Sequence, residues 1–155
     1  MQELSALYTR SSFGWKNCIG YEDYDWYSMR CGALLHDLGK VYVPRHLINN
    51  PVKTTLREHD LIMRHTDYGL GMLQNDPDIT AMTQEIVMQH HNYNTKTPEV
   101  IIVMVCDMFD NMVSDNPYRP AMGIEDILKI IEEQYKNKPF VLKIFNDLME
   151  VHNRA

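Results

Sequence analysis

A chain of 155 residues that is 45% apolar and 23% charged has the size and composition of one folded domain with a sizeable core, which excludes bulk disorder, collagen and coiled coil. Its 15 Lys and Arg against 21 Asp and Glu leave a formal charge of −6. That balance argues against a broad surface for DNA or an anionic membrane, while leaving room for a small basic site for phosphate.

The N-terminal MQELSALYTR carries an early acidic residue and no basic-then-apolar signal pattern. Gln2 to about Arg10 predicts a short helix, and residues 11 to 23 read as loop. Tyr21, Tyr24, Trp26 and Tyr27 form an aromatic cluster suited to a core, an oligomer contact or a wall for base stacking. From about Tyr24 to Leu38 the spacing of Met29, Ala33 and Leu34 predicts a helix that ends at Gly39. Val41 to Pro44 reads as short and extended, and Asn49-Asn50-Pro51 as a turn. Thr55 and Glu58 form a capping box that opens a helix to about Gln74. Asn75 to Asp78 breaks it, and Asp78 is placed to cap a helix to about His91. Asn92 to Pro98 is a polar loop, and Glu99 to about Val113 a strongly apolar helix. Its apolar run, Val100 to Cys106, is far below the roughly 20 residues of a membrane span, so no membrane association is expected. Ser114 to Pro120 is a turn. Helices from about Ala121 or Ile124 to Tyr135, and from Pro139 to about His152, close the chain.

No internal repeat stands out, and the 7 Gly and 7 Pro are scattered. The expectation is therefore a single domain over residues 1–155, an all-α bundle of six or seven helices. The three cysteines, Cys18, Cys31 and Cys106, are odd in number and form no CxxC pair, which points to a reducing cytoplasm and not to a disulfide framework or thiolate zinc site.

Four pieces on helices offer nitrogen or carboxylate ligands: His36-Asp37 with Lys40 beyond it, His65, the pair His90-His91, and Asp107. Each has a plain alternative. His36-Asp37 alone is an ordinary polar helix end. His65 follows Leu61 by four and precedes Gly69 by four, so it points along the buried side and could be a satisfied core histidine. His90 and His91 differ by about 100° around a helix and could both be solvated at its end. Asp107 follows six apolar residues, and a buried carboxylate is costly unless paired or metal-bound. Taken together, four imidazoles and two carboxylates without a thiolate suit iron, manganese or another borderline divalent ion. Six ligands are too many for one catalytic ion that keeps water, but suit two ions sharing a carboxylate, which would acidify a water and clamp a phosphate.

The segment Gly32-Ala33-Leu34-Leu35-His36-Asp37-Leu38-Gly39-Lys40 resembles the signature of the HD superfamily of metal-dependent phosphohydrolases. The resemblance continues through Val41 to Pro44, Leu47-Ile48, Thr55 to Glu58, Met63, His65, Gly69, His90-His91, Val105 to Asp110 and Ser114 to Arg119. In this order, over roughly residues 28 to 150, the pieces are similar to the HD-GYP branch, whose characterised members hydrolyse cyclic dinucleotides. The resemblance implies an HD-domain-like fold and two divalent ions, iron or manganese favoured. Asp37 would bridge the ions, with His36 and Asp107 completing one and His65, His90 and His91 the other. Lys40 would hold phosphate oxygens and neutralise developing charge, and Arg119 would face the substrate. His46, His59 and His152 should lie outside this site.

The sequence departs from that pattern in three places. No Gly-Tyr-Pro occurs anywhere, and the stretch between His91 and Asp107 is short. Asn116 stands where the family usually has an Arg that touches the dinucleotide. No His precedes His36 to match the family's first-helix ligand, and Met1 is either a natural start or the boundary of an excised piece. The expected function is a two-metal phosphohydrolase or phosphodiesterase acting on a nucleotide, with cyclic di-GMP as first candidate. The other reading is a degenerate HD-type module that binds or signals without cleaving. A homodimer is compatible with the sequence.

Overall fold

The computed structural model of the chain describes residues 25–50, 52, 54–116 and 119–153. The expected helix at Gln2 to Arg10, and Tyr21 and Tyr24 of the aromatic cluster, lie outside them. Of that cluster's other members, Tyr27 is exposed and Trp26 is partly buried. All regular structure among the described residues is helical, and the one β-type pairing there is an isolated bridge between Asn116 and Arg119. None of the described helices is long and apolar enough to cross a membrane.

Three of the helices start where a short polar side chain satisfies a backbone N–H that has no partner within the helix. Asp25 opens α1 (Trp26–Leu35) by accepting from the N–H of Ser28 at 3.0 Å. A 3₁₀ turn (Leu38–Tyr42) and the single turn α2 (Arg45–Ile48) follow. α3 (Leu56–Met63) carries the full capping box, with the Glu58 carboxylate accepting from the Thr55 N–H at 2.8 Å. α4 is His65–Leu73 and α5 is Ala81–Gln89. α6 is Pro98–Val113, α7 is Ile124–Tyr135 and α8 is Pro139–Asn153.

Four boundaries differ from the sequence-based expectation. α1 ends at Leu35, before His36, and Gly39 lies within the 3₁₀ turn, so it does not terminate a helix. The helix expected from Thr55 to Gln74 breaks at Arg64 into α3 and α4. Leu61 and His65 therefore share no continuous stripe: Leu61 is exposed, while His65 and Gly69 are buried. Thr80, not Asp78, caps α5, its hydroxyl accepting from the N–H of Thr83 at 3.1 Å.

The described chain forms two compact units. One comprises residues 25–103 and 116–120. In it α1 packs on α5, the 3₁₀ turn on α4, and α4 on α5. Gly32 of α1 is where Ile86 of α5 presses in, since a Cβ there would meet the Ile86 side chain at 2.7 Å. Met29, Ile86, Val87 and Val100 are fully buried. A hydroxyl chain runs alongside this contact: Ser28 Oγ bonds Asp25 and Thr80 Oγ1, each at 2.5 Å, and Thr83 Oγ1 donates to the Ser28 carbonyl at 3.1 Å. Gly39 touches α4 backbone to backbone. A Cβ there would fall on the carbonyl oxygen of His65 and lie 2.5 Å from the Gly69 nitrogen.

The other unit comprises residues 104–115 and 121–153 of the described chain. There α7 and α8 pack together. The buried positions Ile127, Ile131 and Tyr135 recur every four residues along one stripe of α7. Phe109 meets Phe145 edge to face at 6.2 Å, and the Tyr135 hydroxyl donates to Met108 Sδ at 3.7 Å.

Candidate metal centre

Three histidines stand at helix ends in the first unit. His36 follows the last residue of α1, His90 follows the last residue of α5, and His65 begins α4 just past the break that ends α3. The last-turn carbonyls of a helix have no partner within it. Each of these histidines turns Nδ1 onto such a carbonyl three residues back: His36 to Ala33 at 2.7 Å, His65 to Ile62 at 2.7 Å, His90 to Val87 at 2.9 Å. A neutral imidazole that donates through Nδ1 keeps its lone pair on Nε2. In His65 and His90, where burial disfavours the charged form, the helix ends therefore set the tautomer and aim the lone pairs.

Those lone pairs converge on Asp37. His65 Nε2 and His90 Nε2 are 3.2 Å apart, and Asp37 Oδ1 lies 3.4 Å from the first and 3.9 Å from the second. His91 stands edge-on to His65 at 5.2 Å and 4.1 Å from His90, measured between ring centroids. Asp37, His65, His90 and His91 each offer a ligand atom within 4.8 Å of the others. Asp37 Oδ2 faces the opposite way, 3.5 Å from His36 Nε2 and 2.5 Å from Lys40 Nζ.

This donor set fits a divalent cation. Two atoms on one ion, each about 2.0–2.2 Å from it, lie at most about 4.4 Å apart, so the group needs to contract by only a few tenths of an ångström. Two imidazole lone pairs facing each other at 3.2 Å repel unless positive charge lies between them. Asp37 Oδ1 is buried and accepts no hydrogen bond, a costly state that an ion would relieve.

The electrostatics agree. Burial, then the neighbouring charges of His91 and His36, push His90 down to about 3, so the ring is neutral at pH 7 and releases no proton on taking up a metal. Burial likewise lowers His65. Burial alone would raise the Asp37 carboxyl, but hydrogen bonding and charge from His36, with the charge of Lys40, outweigh it and hold the group ionised, well below the usual carboxylate range.

The other sequence-predicted residues are placed as follows. His36 is buried beside His90 at a centroid distance of 4.9 Å, outside the group within 4.8 Å. Lys40 is half-exposed on Asp37. Arg119 pairs its backbone with Asn116 and donates from Nη1 to the Pro120 carbonyl at 3.1 Å. Asp107 belongs to the second unit, on α6, where its Oδ1 accepts from Asn111 Nδ2 at 3.0 Å. It is partly exposed, so burial does not account for it as its apolar run suggested. His46, His59 and His152 are exposed, and His152 packs on Phe109 at 5.7 Å. The sequence reading missed the part played by the carbonyls of Ala33, Ile62 and Val87. No side chain signals it, and only the observed helix ends reveal it.

The model of the HD domain family matches residues 27–112, more than half of the chain. A cyclic di-GMP phosphodiesterase of Pseudomonas aeruginosa is 28% identical over 113 residues, which cover 65% of this chain and 27% of that protein. A cyclic di-GMP phosphodiesterase of Thermotoga maritima is 31% identical over 113 residues, 64% of this chain and 31% of that protein. A 3′3′-cGAMP-specific phosphodiesterase of Vibrio cholerae is 27% identical over 126 residues, 74% of this chain and 27% of that protein. The chain thus spans between a quarter and a third of the length of these relatives.

Proposed function

This chain belongs to the HD domain family, and from that premise we propose that it is a metal-dependent phosphohydrolase cleaving a phosphate ester bond of a nucleotide, with a cyclic dinucleotide, cyclic di-GMP first, as the candidate substrate. The observation that carries the reading is the meeting of His65 Nε2, His90 Nε2 and Asp37 Oδ1 in one buried spot. The printed names of the three relatives support the substrate class.

In this reading His36, Asp37, His65, His90 and His91 would hold two divalent ions, iron or manganese, and Asp107 is the further ligand that the resemblance implies. Asp37 is suited to bridging because its two oxygens face different partners. Ions held there supply the positive charge that acidifies water and polarises a phosphoryl oxygen. The protein's own groups do the rest. The Nδ1 bonds keep the imidazoles in one tautomer and orientation. Lys40 leaves Asp37 for a phosphate oxygen and offsets charge that builds during cleavage. Arg119 adds a second cation toward the phosphate. The free cysteines Cys31 and Cys106 are in keeping with a reducing, cytoplasmic setting.

The short stretch after His91 and the Asn at position 116 favour a more open site with weak affinity for cyclic di-GMP. They also sustain the second reading, an HD-type module that binds a nucleotide without cleaving it. Metal analysis of the purified protein, followed by hydrolysis of a chromogenic phosphodiester with added Mn²⁺ or Fe²⁺, separates the two. Metal with turnover supports the enzyme, metal with nucleotide binding but no turnover supports the module, and absence of metal binding defeats both. Calorimetry should give a Kd for cyclic di-GMP weaker than about 1 μM.

A further inference from the structure

Two tyrosines on the elements that carry the metal centre are not used by the function proposed above. Tyr42 ends the 3₁₀ turn and Tyr68 lies on α4, and their rings meet edge to face at 5.7 Å and 60°. Both are exposed, Tyr42 at 63% and Tyr68 at 38%. They ride on the two elements that bear the centre. Tyr42 is two residues past Lys40, whose ammonium sits on Asp37. Tyr68 is three residues past His65, a rise of about 4.5 Å along the helix, and helical side chains lean back toward the N-terminus, here toward His65. The contact of Gly39 with the α4 backbone holds these two elements in register. One backbone contact therefore sets both Asp37 against His65 and Tyr42 against Tyr68.

We propose that Tyr42 and Tyr68 form a stacking edge for the base of a nucleotide whose phosphate is held at the Asp37 centre. The proposal rests on the phosphohydrolase reading. A nucleotide joins an anionic phosphate to a flat base through one sugar, and the same 3₁₀ turn carries the matching pair, cationic Lys40 and, two residues on, Tyr42 with Tyr68 against it. An edge-to-face pair holds its rings in place yet leaves ring faces uncovered, as stacking on a base requires. Because every base has a flat face, the pair would confer a preference for nucleotides over other phosphates without selecting one base.

The test compares guanosine 5′-monophosphate with ribose 5-phosphate, which lacks the base, by calorimetry on the metal-loaded protein. The wild type should bind the nucleotide about tenfold more tightly or better, the gain expected of a stacked base. In the Tyr42→Ala/Tyr68→Ala double variant this ratio should fall to within about twofold, with the ribose 5-phosphate affinity unchanged. Tyr42→Phe, which keeps the ring, should retain the ratio. Equal binding of the two ligands by the wild type, or an undiminished ratio in the double variant, would overturn the proposal. So would loss of a dimer in the double variant with the ratio intact, which would assign the pair to a contact between copies. If ribose 5-phosphate shows no metal-dependent binding to the wild type, the phosphohydrolase reading itself fails, and the stacking edge with it.

Discussion

Gly39→Ala is the sharpest test of how the centre is assembled. The added Cβ would fall on the His65 carbonyl oxygen and stand 2.5 Å from the Gly69 nitrogen, where ordinary contact needs at least about 3.5 Å. Both obstacles are backbone, so no rotamer change relieves them, and the 3₁₀ turn must move about 1 Å or more away from α4. Overpacking against movable side chains costs about 1–3 kcal/mol, and this rigid contact belongs at or above the top of that range. At about 2–4 °C per kcal/mol for a chain of this size, Tm should drop by about 6–12 °C. The same movement parts Asp37 from His65, now 3.4 Å apart, so divalent-metal affinity should fall as well. Gly71→Ala is the control on α4. Nothing lies within 4 Å of its added Cβ, and removing a helical glycine should stabilise by about 0.5–1 kcal/mol. Thermal melts and metal titrations of both variants check this. A Gly39→Ala protein within about 1 kcal/mol of the wild type, with unaltered metal affinity, would refute the close approach on which the site geometry depends.

Asp37→Asn should abolish metal binding and activity together, because it removes the negative charge beside the neutral ring of His90; elemental analysis after dialysis reads this out. Lys40→Ala should keep the metal and lower turnover, and loss of metal in that variant would show that its assigned role is wrong. Stability of the metal-free protein should fall with acidity. His90 is neutral in the fold down to about pH 3 but titrates near 6.5 when unfolded, so below 6.5 the unfolded chain binds the extra proton. Between pH 7.5 and 5.5 that amounts to about 1.4 kcal/mol from this one group, with His65 acting in the same direction. Denaturant melts across that range should show the loss, and His90→Gln should flatten it.

The helical character of the chain was legible because it rests on local chemistry. The Thr55–Glu58 box, the proline opening α8, and the four-residue repeat of Ile127, Ile131 and Tyr135 are all written within a few residues. The His-Asp and His-His positions stood out as part of a set of imidazole and carboxylate donors without a thiolate, and Lys40 through the resemblance of its segment to the HD signature. Other features could not be read along the chain. Nothing local says that a helix breaks at Arg64, yet that break frees the Ile62 carbonyl for His65. Gly39 reads as a helix stop, but its lack of a side chain serves a backbone contact with α4, 26 residues away at His65. The convergence of His65, His90 and Asp37 is likewise a product of packing, since the side chains come from three segments that only the stacking of the 3₁₀ turn, α4 and α5 brings to one point. Sequence order conveys which groups are available and how each helix begins. Distance between groups far apart in the chain depends on which surfaces interlock, and that is settled only when the whole fold is packed.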